Sequence, residues 1–298
     1  MSDKTTLTGI LVALPTPFTP DGGRIDADAL TAHIDRLIEA GVHGLVPGGS
    51  TGEFTALTPA ERKRLHEICV KAAAGRVPVV ASPGAPSTAE TVELSAHAAE
   101  VGADALMVVP PYYDAPDAAQ LRSHLEAVHE AAHLPIVYYN IPAATGVRLT
   151  AEQIAELGDI EGVEYLKDTS GDAVALGELL VKHSDRITAF NGWDTLTFFG
   201  LASGATGSVW GAANVVPELS VRLWDALAVR GDLAEGRRLW ERIWPVCDFL
   251  EAHHYAAAVK TGMELTGHPV GPVRAPFGPL DESARAEFAA LLSAAGAI

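Results

Sequence analysis

Short apolar runs alternate with longer amphipathic stretches eight times between Gly9 and Val229, and this rhythm limits the fold more than any single motif does. The runs are Gly9–Leu14, Gly44–Val46, Val77–Ala81, Ala105–Val109, Ile136–Tyr139, Val163–Lys167, Thr188–Asn191 and Thr206–Val209. Most are apolar on both faces, as strands are when helices cover both sides of a parallel sheet. The stretches between them carry helix start signals. Thr58-Pro59-Ala60-Glu61 sets a capping hydroxyl before a proline, and Ser87-Thr88-Ala89-Glu90 and Thr150-Ala151-Glu152-Gln153 have capping-box spacing. Further helices are expected over Ala27–Ala40, Asp117–Ala132, Asp172–His183, Asp194–Ala202 and Pro217–Val229. Eight strand–helix units is the number that closes a barrel, so the expected fold is α/β, a (β/α)8 TIM barrel. A doubly wound open sheet is the alternative, because periodicity does not report closure.

From about Gly231 the strands stop. Asp232–Ala258 and Val259–Thr266 read as helices, Gly267–Pro279 is rich in Gly and Pro, and Ser283–Ala294 is helical again. The expected division is a catalytic barrel over residues 1–230 with a C-terminal helical extension over residues 231–298. The acidic balance, 38 Asp plus Glu against 21 Lys plus Arg, argues against nucleic acid or an anionic membrane as a partner. Cys69 and Cys247 make no disulfide framework and no zinc-binding pair. Met1–Thr6 lacks a basic start followed by an apolar core, and no apolar stretch approaches the roughly 20 residues that span a bilayer. A cytoplasmic protein is expected.

In a parallel barrel the reactive groups gather where strands end at their carboxyl side. The sixth run closes on Lys167 before the polar turn Asp168-Thr169-Ser170-Gly171-Asp172. Of the six lysines, Lys63, Lys71, Lys182 and Lys260 read as helical and Lys4 lies in the N-terminal tail, so Lys167 alone emerges from a buried strand. Partial desolvation favours a neutral amine, which is a nucleophile toward carbonyls. The alternative is a local ion pair with Asp168 or Asp172. Other strand ends add Gly48-Gly49-Ser50-Thr51-Gly52-Glu53, Pro110-Pro111-Tyr112-Tyr113, Tyr139-Asn140-Ile141-Pro142 and Asn191-Gly192-Trp193-Asp194. Glycines admit close backbone approach, paired hydroxyls donate without net charge, and a nearby phenol moves protons. That combination suits a small carboxylate.

In this order, Gly-Gly-Ser-Thr-Gly-Glu at 48–53, Tyr-Asn-Ile-Pro at 139–142 and Leu-Lys-Asp-Thr-Ser-Gly-Asp at 166–172 resemble the pyruvate-dependent class I aldolases, the family of dihydrodipicolinate synthase and N-acetylneuraminate lyase. The resemblance runs from about Gly9 to Pro279. It implies that Lys167 forms an imine with the keto carbon of pyruvate and that Tyr139 relays protons and helps hold the carboxylate. It assigns Ser50 and Thr51 to the carboxylate and proton-relay end. It matches Tyr113 to a tyrosine lent across a subunit interface, hence a homotetramer built from dimers. Gly49, Thr169, Gly192, Asp194 and Val209 complete the expected substrate-binding set. The imine is the electron sink, so no metal and no organic cofactor is expected.

Departures narrow the substrate. Dihydrodipicolinate synthase carries an arginine just after Tyr-Asn-x-Pro that grips aspartate semialdehyde, and Ala144 stands there in this chain. Arg148 is too far along the loop to replace it. Asn191-Gly192-Trp193-Asp194 resembles the segment by which neuraminate lyase and sugar acid aldolases bind hydroxyls, Gly192 offering a carbonyl and Asp194 a carboxylate. Thr195 stands where that lyase has glutamate, and Gly211 where it has serine, which argues against sialic acid itself. The expected reaction is reversible cleavage of a 2-keto-3-deoxy sugar acid or a 4-hydroxy-2-oxo acid to pyruvate and an aldehyde. Condensation with aspartate semialdehyde, dehydration through the same imine, and a barrel that binds a small acid without turnover are the alternatives.

Two motifs point elsewhere. Gly48-Gly49-Ser50-Thr51-Gly52 matches the G-x-S-x-G elbow of serine hydrolases, but several residues separate it from the helix at Pro59. His129-Glu130-Ala131-Ala132-His133 is a literal H-E-x-x-H, set at a helix end where the dipole favours histidine. His253-His254 reads as an interfacial or packed pair, Asp194 as a possible helix cap, Tyr112 as packing, and Trp193 as pocket lining or rim filler.

Overall fold

A computed structural model describes residues 6–298, so Lys4 and the N-terminal reading from Met1 to Thr5 lie outside the described residues. The strands are β1 (Gly9–Ala13), β2 (Gly44–Val46), β3 (Val80–Ala81), β4 (Ala105–Val108), β5 (Ile136–Asn140), β6 (Val163–Asp168), β7 (Thr188–Asn191) and β8 (Gly207–Trp210). All pair in parallel in the order β2-β1-β8-β7-β6-β5-β4-β3. The two ends meet through a parallel bridge between Leu45 and Val79 and a 3.0 Å bond from Leu45 N to Pro78 O. The sheet therefore closes into the (β/α)8 barrel, and the open-sheet alternative falls. β3 is shorter than the expected Val77–Ala81 because Pro78 has no N–H to give to a ladder.

Alternation along each strand sorts the side chains. Leu11, Val46, Met107, Val137, Tyr165, Phe190 and Val209 fill the barrel interior. The opposite faces pack against helices, Ile10, Val12 and Leu45 on one side and Leu106, Tyr138 and Leu166 on another. Each large apolar side chain removed from water contributes roughly 1.5–3 kcal/mol, so both layers are needed. The helix signals are met at Thr58 and Thr150, where both halves of the capping box form. Ser87 makes only its half, accepting from Glu90 N.

Helices Leu233–Ala252, Tyr255–Leu265 and Glu282–Ala295 follow the barrel. The break between the first two comes at His253–His254, earlier than the expected boundary at Ala258. Pro245 lies inside the first helix without ending it, because Val246, Cys247, Phe249 and Leu250 are buried along the same segment. The chain turns where His253 takes an extended conformation, its ring stacked on Phe249 at 4.0 Å, and His254 caps the next helix through Ala257 N. This turn carries Glu251 and Tyr255 toward the strand ends. Among the described residues no helix is long and apolar enough to cross a membrane.

Candidate active site

Tyr139 and Lys167 are register partners on β5 and β6, so their side chains leave the sheet on the same face. The Lys167 amine lies 4.0 Å from the centre of the Tyr139 ring and the residue is 6% exposed. Neither nearby aspartate takes up the amine as a local ion pair. Asp168 accepts from Asn140 Nδ2 at 2.8 Å and from the Ser170 hydroxyl and amide, while Asp172 caps the helix that starts at Ala173. Gly192 is glycine for a steric reason. A Cβ there would come within 2.3 Å of Thr169 Oγ1 and 2.7 Å of Lys167 Cγ. The Gly192 carbonyl accepts from Thr169 Oγ1 at 3.0 Å.

These residues open onto a cleft of about 600 Å³, whose wall includes Ser50, Thr51, Tyr139, Lys167, Thr169, Gly192, Asp194 and Val209. Two expected site residues are elsewhere. Gly49 faces a space of about 10 Å³ behind the loop, where a Cβ would press on Met107 Cε at 3.2 Å. Tyr113, expected to be lent across a subunit interface, is 97% exposed with φ at +80° and is not on the wall of its own chain's cleft, whereas Tyr112 lines it, edge-on to Phe54. Ala144 also lines the cleft; Arg148 is exposed and is not on its wall.

The Ser50–Thr51 loop is held from below. Glu53 N donates to Ser50 O, and Thr16 Oγ1 donates to Gly52 O at 2.7 Å. Glu53 itself has φ at +56°, a left-handed conformation that costs a non-glycine residue about 1–2 kcal/mol. Its carboxylate is buried, 2.7 Å from Lys260 Nζ, and accepts from Arg274 N at 2.8 Å. Lys260 also donates to Pro272 O, and Arg274 reaches Glu61. The C-terminal segment thus clamps the loop that presents the two hydroxyls.

Asp194 lies inside the turn Asp194–Leu196 rather than capping it, and is 4% exposed. Tyr255 donates its hydroxyl to Asp194 Oδ2 at 2.6 Å. Burial pushes the Asp194 carboxyl up to about 7, with Glu251 adding to the rise and Tyr255 and Lys167 opposing it. Burial and Asp194 hold the Tyr255 phenol well above its ordinary range. At the two departures noted above, side chains from the C-terminal helices are present. A Cβ at Gly211 would lie 2.3 Å from Tyr255 Oη, and Thr195 donates from its amide (3.0 Å) and hydroxyl (2.8 Å) to the Glu251 carboxylate. Trp193 lines the cleft and donates its indole N–H to Thr195 Oγ1.

Lys260, Glu251 and Tyr255 were not legible as site residues, and Glu53 was legible only as the end of the Gly48–Glu53 segment, without its role as an ion-pair partner. Their partners lie far along the chain, and for Lys260 and Glu251 the only local sign was charge inside a helical stretch. The competing motifs have structural roles. His129 bonds to Leu134 O and packs on Gly162, and among the described residues no group of three His, Cys, Asp or Glu could hold a metal ion. Beyond Ser50 the chain makes the turn Phe54–Ala56 before the helix at Pro59, so the sharp strand-to-helix elbow is not formed.

A closed parallel barrel with a buried lysine opening on a cleft at its strand ends, beside a tyrosine and a hydroxyl-bearing loop, defines a carbon–carbon lyase of the class I aldolase type. The dihydrodipicolinate synthetase family matches over residues 6–295. The 4-hydroxy-tetrahydrodipicolinate synthase of Phenylobacterium zucineum is 38% identical over 290 residues, 97% of this chain and 98% of the relative. A DapA-like lyase of Halobacterium salinarum is 38% identical over 294 residues, 99% of this chain and 96% of the relative. The crystal structure of the chloride-inhibited dihydrodipicolinate synthase of Acinetobacter baumannii, complexed with pyruvate, superposes with a TM-score of 0.94 at 30% identity, covering 98% of this chain and 100% of that one. The chain belongs to the dihydrodipicolinate synthetase family, whose enzymes join or cleave pyruvate and an aldehyde through a lysine Schiff base.

Proposed function

We propose that Lys167 is the Schiff-base lysine and that the enzyme reversibly cleaves a 2-keto-3-deoxy sugar acid, or a related 4-hydroxy-2-oxo acid, to pyruvate and an aldehyde. The amine adds to the keto carbon and water leaves, giving a protonated imine. The C4 hydroxyl then loses its proton, the C3–C4 bond breaks, and its electrons enter the imine as an enamine. The aldehyde departs, C3 takes a proton, and water releases pyruvate from the lysine. Tyr139 is positioned to relay these protons, and Ser50 and Thr51 to hold the carboxylate. Thr169, Gly192, Asp194 and Val209 face the remainder of the substrate. The observation that carries this reading is the Lys167 amine over the Tyr139 ring, on the wall of the cleft, with Asp168 and Asp172 both engaged elsewhere.

Ala144 supports the sugar acid, because among the described residues no arginine lines the cleft to receive a second carboxylate. Condensation of pyruvate with aspartate semialdehyde is the second reading, favoured by the names of the synthases above. Direct assay separates them. Pyruvate release from a panel of 2-keto-3-deoxy sugar acids is expected to exceed condensation with aspartate semialdehyde by about a hundredfold in kcat/KM, the scale set by losing a charge-assisted carboxylate contact. Efficient condensation with the semialdehyde reverses the assignment. Tyr113, almost fully exposed on the single chain, supports a homotetramer built from dimers in which it is lent to a neighbour. A monomer in sedimentation at assay concentration excludes that role.

A further inference from the structure

Lys167 is held between two neighbours, and one residue behind it ties both of them down. Its amine lies over the Tyr139 ring, and its stem runs against the backbone of Gly192, where a Cβ would fall 2.7 Å from Lys167 Cγ and 2.8 Å from Cε. Asp168, next along β6 and therefore on the other face of the sheet, reaches both chain segments. Its backbone carbonyl accepts from Gly192 N at 2.7 Å, and its Oδ1 accepts at 2.8 Å from Nδ2 of Asn140, the residue after Tyr139. We propose that Asn140 and Asp168 are positioning residues, a buried amide–carboxylate bracket that fixes the Lys167 amine against the Tyr139 ring. This deepens the lyase reading above and rests on it for the chemistry at Lys167.

The bracket sits where the ladder stops. Asn140 and Asp168 are the last register pair of β5 and β6, and beyond them the chain leaves the sheet for the short helix Pro142–Thr145 and for the polar turn. Thr169 N adds one more backbone bond, to Asn140 O at 2.8 Å, and the side-chain bond spans the same rung. Both residues are 4% exposed. Burial raises the Asp168 carboxyl, and neutral donors oppose the rise: Asn140 first, then the Ser170 hydroxyl at 3.0 Å and the Ser170 amide at 3.2 Å. A carboxylate only accepts, so it must meet the NH2 end of the Asn140 amide. Ser170 Oγ in turn accepts from Asp172 N at 3.1 Å, and Asp172 caps the helix that starts at Ala173. The bracket is thus anchored outside the site. Neither Asn140 nor Asp168 is on the cleft wall, so both act through Lys167 and Tyr139 rather than on the substrate.

Steady-state kinetics and the rate of pyruvate–borohydride labelling, each measured beside denaturant unfolding, separate positioning from packing. Asn140→Ala is expected to lower kcat and the labelling rate of Lys167 by about 10- to 100-fold, the scale set by a displacement of about 1 Å. KM is expected to change by less than about threefold, because the substrate-binding groups are untouched. Asp168→Ala is expected to match this loss. Asp168→Asn, whose amide oxygen can still accept from Asn140, is expected to recover most of it. Should the alanine variants fail to fold, Ser170→Ala removes one donor to Asp168 at a partly exposed position and is expected to lower kcat by about three- to tenfold. An unchanged kcat per folded molecule in Asn140→Ala, or in Ser170→Ala where only that variant folds, overturns the proposal. So does an Asp168→Asn variant as slow as Asp168→Ala. With Lys167 labelled in the parent, such results sink the bracket alone; label on a different lysine in the parent sinks the lyase reading at Lys167 and the bracket with it.

Discussion

Incubation with pyruvate and borohydride is expected to leave a reduced three-carbon adduct on Lys167, and Lys167→Ala is expected to carry none and to lose turnover by a factor on the order of 10⁴–10⁶. The size of the loss follows from the mechanism. Without an amine there is no imine, so no group withdraws electrons from C3, and carbon–carbon cleavage has no electron sink. Placement makes Lys167 specific for the label. Lys63 and Lys182 sit in surface ion pairs with Glu93 and Glu178, and Lys260 is buried against Glu53 outside the cleft wall. Lys167→Met keeps most of the side-chain length over the Tyr139 ring, so it separates lost chemistry from lost packing. It should fold like the parent and be as inactive as the alanine variant. Peptide mapping by mass spectrometry reads the adduct; label on a different lysine, or turnover surviving in Lys167→Met, would falsify the assignment.

Lys260→Met is expected to lower the free energy of unfolding by about 3–5 kcal/mol, the usual consequence of leaving one member of a buried ion pair alone. Glu53 would keep its bond from Arg274 N but lose its countercharge, in a residue only 6% exposed and already in a left-handed conformation. Against a typical total of roughly 5–15 kcal/mol this is a severe loss. Turnover should fall as well, because Glu53 follows directly on the Ser50–Thr51 loop. The double variant Glu53→Gln with Lys260→Met removes both charges and should recover a substantial part of the stability, since a neutral amide can keep the bond from Arg274. Denaturant unfolding of the parent and the two variants measures this. A single-variant loss below about 1 kcal/mol would mean that the pair contributes no more than a surface bridge.

Much of the barrel was legible in the chain because its determinants are local. Strands that are buried on both faces must be apolar throughout, and their helices must start at capped turns, as at Thr58 and Thr150. The expected strands therefore lie close to the observed ones. β3 is the exception, and there Pro78 removes a donor from the ladder. The same logic anticipated that two side chains of the candidate site lie together. A lysine and a tyrosine that each end a buried strand emerge at the same rim, and Lys167 and Tyr139 are indeed register partners. Periodicity read the C-terminal helices less well. A proline inside a helix and a pair of histidines give no clear sign of which one marks a turn. Burial around Pro245 kept the helix intact, and the chain broke at His253 instead.

By itself, then, the amino-acid order determined the repeating strand–helix architecture, the rim where chemistry gathers, and the lysine, tyrosine and hydroxyl loop that meet there, because each follows from periodicity and position within one short segment. Only the tertiary structure decided what surrounds them. Tyr255 reaches Asp194 across 61 residues, and Arg274 reaches Glu53 across 221. Such pairs have no local pattern. They come together because the C-terminal helices fold back over the open end of the barrel, and burial there is what makes each polar group find a partner.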